Sequence, residues 1–166
     1  WSPVGHLNGV ANGDELRTAY TTCLPLLTDY HTELAQNAAL CAAYQRVKDA
    51  TNMTERLGAL AALTESHAEL ADRALEHFHK RFQHEALVID KWFALQSQMP
   101  ERADGRAFAR VKRLLQHADF TLANPNRARS LLQVFCTMNP AAFHRTDAGG
   151  YVLWADRLLE LDAINP

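Results

Sequence analysis

The sequence has little of what builds sheets. Ala and Leu dominate its 166 residues and β-branched residues are sparse, which favours helix over strand. No apolar run approaches the ~20 residues of a membrane span. No strong charge of one sign is present: 17 Lys and Arg stand against 19 Asp and Glu, a net charge of −2, so no global field recruits nucleic acid or an anionic membrane. Cysteine is scarce and odd in number. Cys23, Cys41 and Cys136 lie in mostly apolar helical contexts and read as reduced packing thiols of a cytoplasmic protein, not as a disulfide framework. Phosphate-binding loops, dinucleotide fingerprints and the G-x-S-x-G turn are missing. Among the eight histidines, His84-Glu85-Ala86-Leu87-Val88 starts like the zinc-binding spacing H-E-x-x-H and fails at Val88. His77 and His79 would point about 200° apart on one helix and cannot share an ion from it. No catalytic residue, metal ligand or cofactor is expected in this chain.

What the sequence has is helical periodicity. Residues 1–13, with Pro3, Gly5, Gly9 and Gly13, read as a loop or arm, and residues 14–166 as a single helical domain. Asp14 can cap a helix to about Leu24, and Pro25 ends it. A second helix is expected from Asp29 to Ala50, with Cys41 inward. Asn52 and Glu55 have the spacing of a capping box, as do Ser66 and Glu69. The helix after Asn52 carries Leu57, Leu60 and Leu63 amid Gly58, Ala59, Ala61 and Ala62, a composition suited to close packing. The next one aligns Leu70, Ala74, Phe78 and Phe82. Leu87 to Leu95 is apolar enough to be largely buried, Trp92 and Phe93 included. Asp104 then begins a basic amphipathic helix with Phe108, Val111, Leu114 and Leu115 inside. The whole predicts an all-α protein, an irregular superhelix of stacked antiparallel helical hairpins with about eight helices.

The most informative stretch is Asn124 to Tyr151. Asn124 can cap a helix and Pro125 suits its first position. Leu131, Leu132, Phe135 and Met138 recur on one face. Arg127 and Arg129 lie in the first two turns, where a cation works against the helix macrodipole, so neither serves helix stability. Either can be a solvated or paired arginine, or a fork for an anion or carboxylate. Asn139-Pro140 starts a short helix through Phe143, Asp147 to Gly150 forms a turn, and a last helix begins near Tyr151.

These residues carry a resemblance. The run N-P-N-R-A-R-S-L from Asn124, then N-P-A-A-F-H from Asn139 and a Gly-rich turn before Tyr151, is similar to the C-terminal helical domain of the bacterial alanyl aminopeptidases, zinc-dependent gluzincins. N-M-T-E-R-L from Asn52, D-K-W-F-A-L-Q from Asp90 and L-D-A-I-N-P from Leu161 agree with it, in order. The resemblance covers residues 46–166 and implies a superhelical domain that closes over a catalytic domain of the same polypeptide. It implies that the enzyme removes N-terminal residues from peptides and that its zinc ligands lie in that other domain, so this chain alone is inactive. It carries Arg129 over as a residue facing the cleft near the downstream carboxylate of a peptide substrate. It gives Arg127 a weaker claim, with helix-to-helix contacts preferred. The start at Trp1 and the stop at Pro166, where the family pattern continues, suggest a truncated domain, with self-association of the isolated chain through its last helix. The alternative is a freestanding helical-repeat module that binds a protein or peptide.

Overall fold

The computed structural model describes residues 36–164, His67 excepted. The expected arm at 1–13 and helix at 14–24 lie outside the described residues. The chain divides into two compact units, Trp1–Cys41 and Ala42–Pro166. The second holds nearly all described residues. Every regular element among them is helical and none is a strand. We number them α1 (residues 36–49), α2 (Met53–Ser66), α3 (Ala68–Phe82), α4 (Ala86–Ser97), α5 (Arg106–Leu114), α6 (Pro125–Met138, in three parts), α7 (Pro140–Phe143) and α8 (Gly149–Ile164). The all-α fold of successively packed helices is as predicted: α2 packs on α3, α3 on α4 and α4 on α5. Helix α4 is the hub, touched by α2, α3, α5 and α6.

The start of α2 follows from its cap. The Asn52 side chain accepts from the Glu55 backbone N–H at 2.8 Å. Leu60 and Leu63 are fully buried. So is most of Arg56, whose guanidinium donates to the carbonyls of Val47, Lys48 and Ala50 and satisfies the end of α1. Gly58, in contrast, faces open space, so close helix approach is not its purpose. Nor does Ser66 cap α3: it is the last residue of α2, and its hydroxyl donates back to the Ala62 carbonyl at 2.8 Å.

The core lies where α3, α4, α5 and α6 meet. Phe78, Ile89, Phe93, Val111, Leu131 and Phe135 are all but inaccessible. Trp92 is buried too, its indole N–H donating to the Leu75 carbonyl at 3.0 Å. Leu87 does not join them. It is 70% exposed because it lies in the first turn of α4, outside the packed stripe. Cys41 is exposed as well, not inward. Cys136 is half-buried, and burial pushes its thiol up to about 11. The basic face of α5 is as expected, and Asp104 accepts from the Arg106 N–H at its start, at 3.2 Å. Gly105, at φ 70°, turns the chain, and the Glu101 carboxylate reaches the N–H groups of Ala107 and Phe108 at 3.1 and 3.0 Å.

Helix α8 begins two residues before Tyr151. Asp147 accepts from the Gly149 N–H at 2.9 Å, and the left-handed residue of the turn is Ala148 (φ 56°), not a glycine. The tandem glycines serve packing: a Cβ on Gly150 would lie 2.0 Å from the Phe143 carbonyl oxygen. Only Gly150 and Leu153 of α8 are buried, and Tyr151, Val152, Leu158, Leu159 and Ile164 are exposed. No described helix is long and apolar enough to cross a membrane.

Two outcomes follow for this end of the molecule. Gly150→Ala forces α8 away from α7 and should destabilise by about 1–3 kcal/mol, read as a lower denaturant midpoint at unchanged slope. The bidentate Arg145 fork, with bonds of 3.0 and 3.1 Å, and the Gly149 N–H hold the Asp147 carboxyl down to about 2. The folded chain thus binds this proton more weakly than the unfolded chain, whose carboxyl titrates near ~3.9. The stabilisation is present above pH ~4 and is lost as pH falls through about 2. Thermal midpoints of wild type and Asp147→Ala should differ at pH 6 and converge toward pH 2.

Candidate functional site

The N-P-N-R-A-R segment builds the most unusual piece of backbone. The Asn124 side chain accepts from the N–H groups of Asn126 and Arg127 at 3.0 and 3.3 Å, with Pro125 in the first turn, as its sequence predicts. The helix then widens. After Pro125–Ala128 it runs as a π-helix over Arg129–Gln133 and returns to α-helix over Val134–Met138. Such wide turns are rare and occur frequently at functional sites. Here four of the buried positions, Arg127, Leu131, Phe135 and Asn139, fall four apart, with Ala128 and Leu132 buried beside them. That spacing exceeds the 3.6 of an ordinary helix, so Met138 rotates into solvent, 59% exposed, and Asn139 takes its place.

The two arginines meet opposite fates. Arg127 is buried. Its Nε donates to Asp90 at 2.5 Å, one Nη to the Asp119 carbonyl and the other to the Ala86 carbonyl at 3.4 Å, and its guanidinium lies 5.0 Å from the Phe93 ring centre. Every donor edge is turned to α4 and to the connector before α6. Arg129, at the first position of the π-segment, is exposed, and its side chain makes no ion pair or hydrogen bond among the described residues. Its cationic head is free among the described residues, on an irregular turn.

A second group of polar side chains gathers on the other side of Arg127. A cleft of about 340 Å³ opens between α3, α4 and α5, lined by Asp72, His79, Trp92, Arg110 and His117 among others. Arg110 pairs with Asp72 at 2.5 Å. His79 Nε2 lies 2.6 Å from Asp119 Oδ2, and His117 Nδ1 lies 3.7 Å from the same oxygen. The Asp119 N–H donates to His117 Nδ1 at 3.2 Å. Burial lowers the His117 pKa below its ordinary value, against the pull of Asp119.

Spacing along single helices did not find this group. His79 does not pair with His77, as the periodicity requires, and finds His117 and Asp119 from the turn after α5 instead. The only linear signal was H-x-D at residues 117–119, which has no force until the fold brings α3 beside it. His84 lies in the turn before α4, so even the helix that H-E-x-x-H needs is absent there.

Residues 11–166 match a family described as a domain of unknown function, DUF3458_C, with ARM repeats. The chain is 43% identical over 117 residues to aminopeptidase N of Caulobacter vibrioides, covering 70% of this chain and 13% of that protein. It is 36% identical over 150 residues to aminopeptidase N of Escherichia coli, covering 90% and 16%. A shorter likeness, 49% over 55 residues, runs to oligopeptidase A of Haemophilus influenzae and covers 33% of this chain and 8% of that protein. The crystal structure of Legionella pneumophila aminopeptidase A in complex with aspartic acid superposes with a TM-score of 0.70 at 34% identity, over 92% of this chain and 17% of that one. The chain thus spans only a small part, 13% to 17%, of the aminopeptidases it matches. It belongs to the DUF3458_C (ARM repeats) family, as the helical C-terminal domain of bacterial aminopeptidase N type.

Proposed function

We propose that this chain is the capping domain of a zinc-dependent aminopeptidase that removes N-terminal residues from peptides. It packs against the catalytic domain of the same polypeptide, narrows access to the cleft and supplies Arg129 to the bound peptide. Its relatives' names and the small share of them that it spans support this reading. The catalytic zinc belongs to the other domain. The residues here do not fit that site, since His84 stands in a turn and Val88 occupies the place of a second imidazole. When bound there, zinc supplies an activated water. Alone, this chain has no peptidase activity. Its free cysteines, Cys41 and Cys136, suit the cytoplasm.

The observation that carries the role of Arg129 is its contrast with Arg127. One guanidinium is consumed by α4 and its connector, and the other is exposed and unpaired two residues later. A guanidinium fork is suited to a planar carboxylate, which a peptide offers at its C-terminal end. Arg127 contributes indirectly, by fixing the helix that presents Arg129. In the full-length enzyme, Arg129→Ala should reduce kcat/KM for short peptides roughly ten- to a hundredfold, the size of a charge-assisted bond of about 1.5–3 kcal/mol. Single-residue chromogenic amides, which lack the carboxylate, should be little affected. Equal losses on both substrates would make Arg129 a structural residue.

The exposed apolar residues of α8 point to self-association of the 166-residue chain when it is separated from its partner domain. Size-exclusion chromatography with light scattering should show oligomers that Leu158→Glu or Leu159→Glu disperse. A monomer unchanged by either substitution would show that α8 needs no cover.

A further inference from the structure

We propose that His79, His117 and Asp119 form a binding site for a divalent transition-metal ion of the zinc, cobalt and nickel type. The donor atoms of the three residues all lie within 4.8 Å of one another. They come from two separate places in the chain, α3 and the turn after α5, so their convergence is a product of the fold. Two imidazoles and one carboxylate make a borderline donor set, which takes such ions in preference to magnesium or calcium and leaves positions for water.

The donors are held in place by their surroundings. The His79 and His117 rings lie 4.8 and 5.2 Å from the Trp92 ring, and 5.1 Å from each other. Trp92 is itself pinned through its indole N–H to the Leu75 carbonyl. Asp119 is fixed from behind, since Arg127 donates to its backbone carbonyl. A site whose outer contacts orient its ligands pays less to organise around an ion. There is also a way in. The side chains of His79, His117 and Asp119 are 20%, 31% and 35% exposed, and both imidazoles line the cleft between α3, α4 and α5.

A hydrogen bond between His79 and Asp119 accounts for only part of this arrangement. The His117 Nδ1 faces the same carboxylate oxygen at 3.7 Å, beyond hydrogen-bond reach, and accepts from the Asp119 N–H at 3.2 Å. Neutral imidazole is the form that ligates. An ion between the three takes the place of the hydrogen between His79 and Asp119, whose proton passes to water, and of the bond from the Asp119 N–H to His117 Nδ1.

The test is calorimetric titration of zinc chloride into the chelator-treated 166-residue chain, with cobalt absorption spectra as a second readout. Wild type and the control His84→Ala should bind one equivalent with equal affinity. His79→Ala and Asp119→Asn should each weaken binding at least about tenfold, the lower end of what even outer contacts are worth, and remove the ligand-field bands of cobalt. Asp119→Asn keeps the size of the side chain and its capacity to accept a hydrogen bond, so it decides the matter should His79→Ala fail to fold, as checked by circular dichroism. Absence of binding by the wild type, or Asp119→Asn binding as wild type does, overturns the proposal.

Discussion

The buried guanidinium of Arg127 is the fixed point of this structure. It joins a side chain of α4, Asp90, to two backbone carbonyls, that of Asp119 in the connector before α6 and that of Ala86 in the first turn of α4. Buried carbonyls without partners are costly, and a planar group with five donors can serve several at once. Removing one member of a buried pair typically costs about 3–5 kcal/mol, because the other charge is left without compensation. Arginine is specific to this place. A lysine has one donor centre and cannot reach an acid and two carbonyls lying in different directions.

From that point, helix α6 is held at both ends against the same partner. At its far end Asn139 donates to the carbonyls of Ser97 and Met99, where α4 finishes, and accepts from the Ala142 N–H. The segment between Arg127 and Asn139 therefore has to match the length of α4 and keep its apolar face inward. Burial at 127, 131, 135 and 139 requires a repeat of four, and the wide turn at Arg129–Gln133 supplies it. The irregular backbone that presents Arg129 is thus a consequence of packing. The same guanidinium holds Asp119, and through it the His79 and His117 rings, so both candidate sites rest on one buried charge.

The helices themselves were legible in the sequence, and so were several caps. Asn52, Asn124 and Pro125 act as their residue types and positions require. Local chemistry decides such features, so local reading finds them. The misses are of another kind. Met138 faces solvent because a π-turn shifts the phase, which no period of 3.6 can anticipate. Glu101 joins Asp104 at the start of α5 by reaching six and seven residues along the chain. Gly150 is constrained by Phe143 and not by its own dihedral angles. The His79–His117–Asp119 group spans forty residues and exists only in the folded chain. In each case the deciding partner is outside the window in which periodicity operates.

The R-x-R pair shows how much of a site such reasoning can still reach. Residues two apart on a helix point to opposite sides, so one arginine turned inward obliges the other to face out. Both lie near a helix N-terminus, where a cation is disfavoured by the macrodipole. Arg127 offsets that penalty with Asp90 and the carbonyls around it. Arg129 has no such offset among the described residues: no carboxylate approaches it, and the helix end it occupies repels it. A long cationic side chain in that position gains nothing from the folding of this unit. The partner proposed for it is a carboxylate supplied from outside the unit, whose charge and planar shape suit a guanidinium fork.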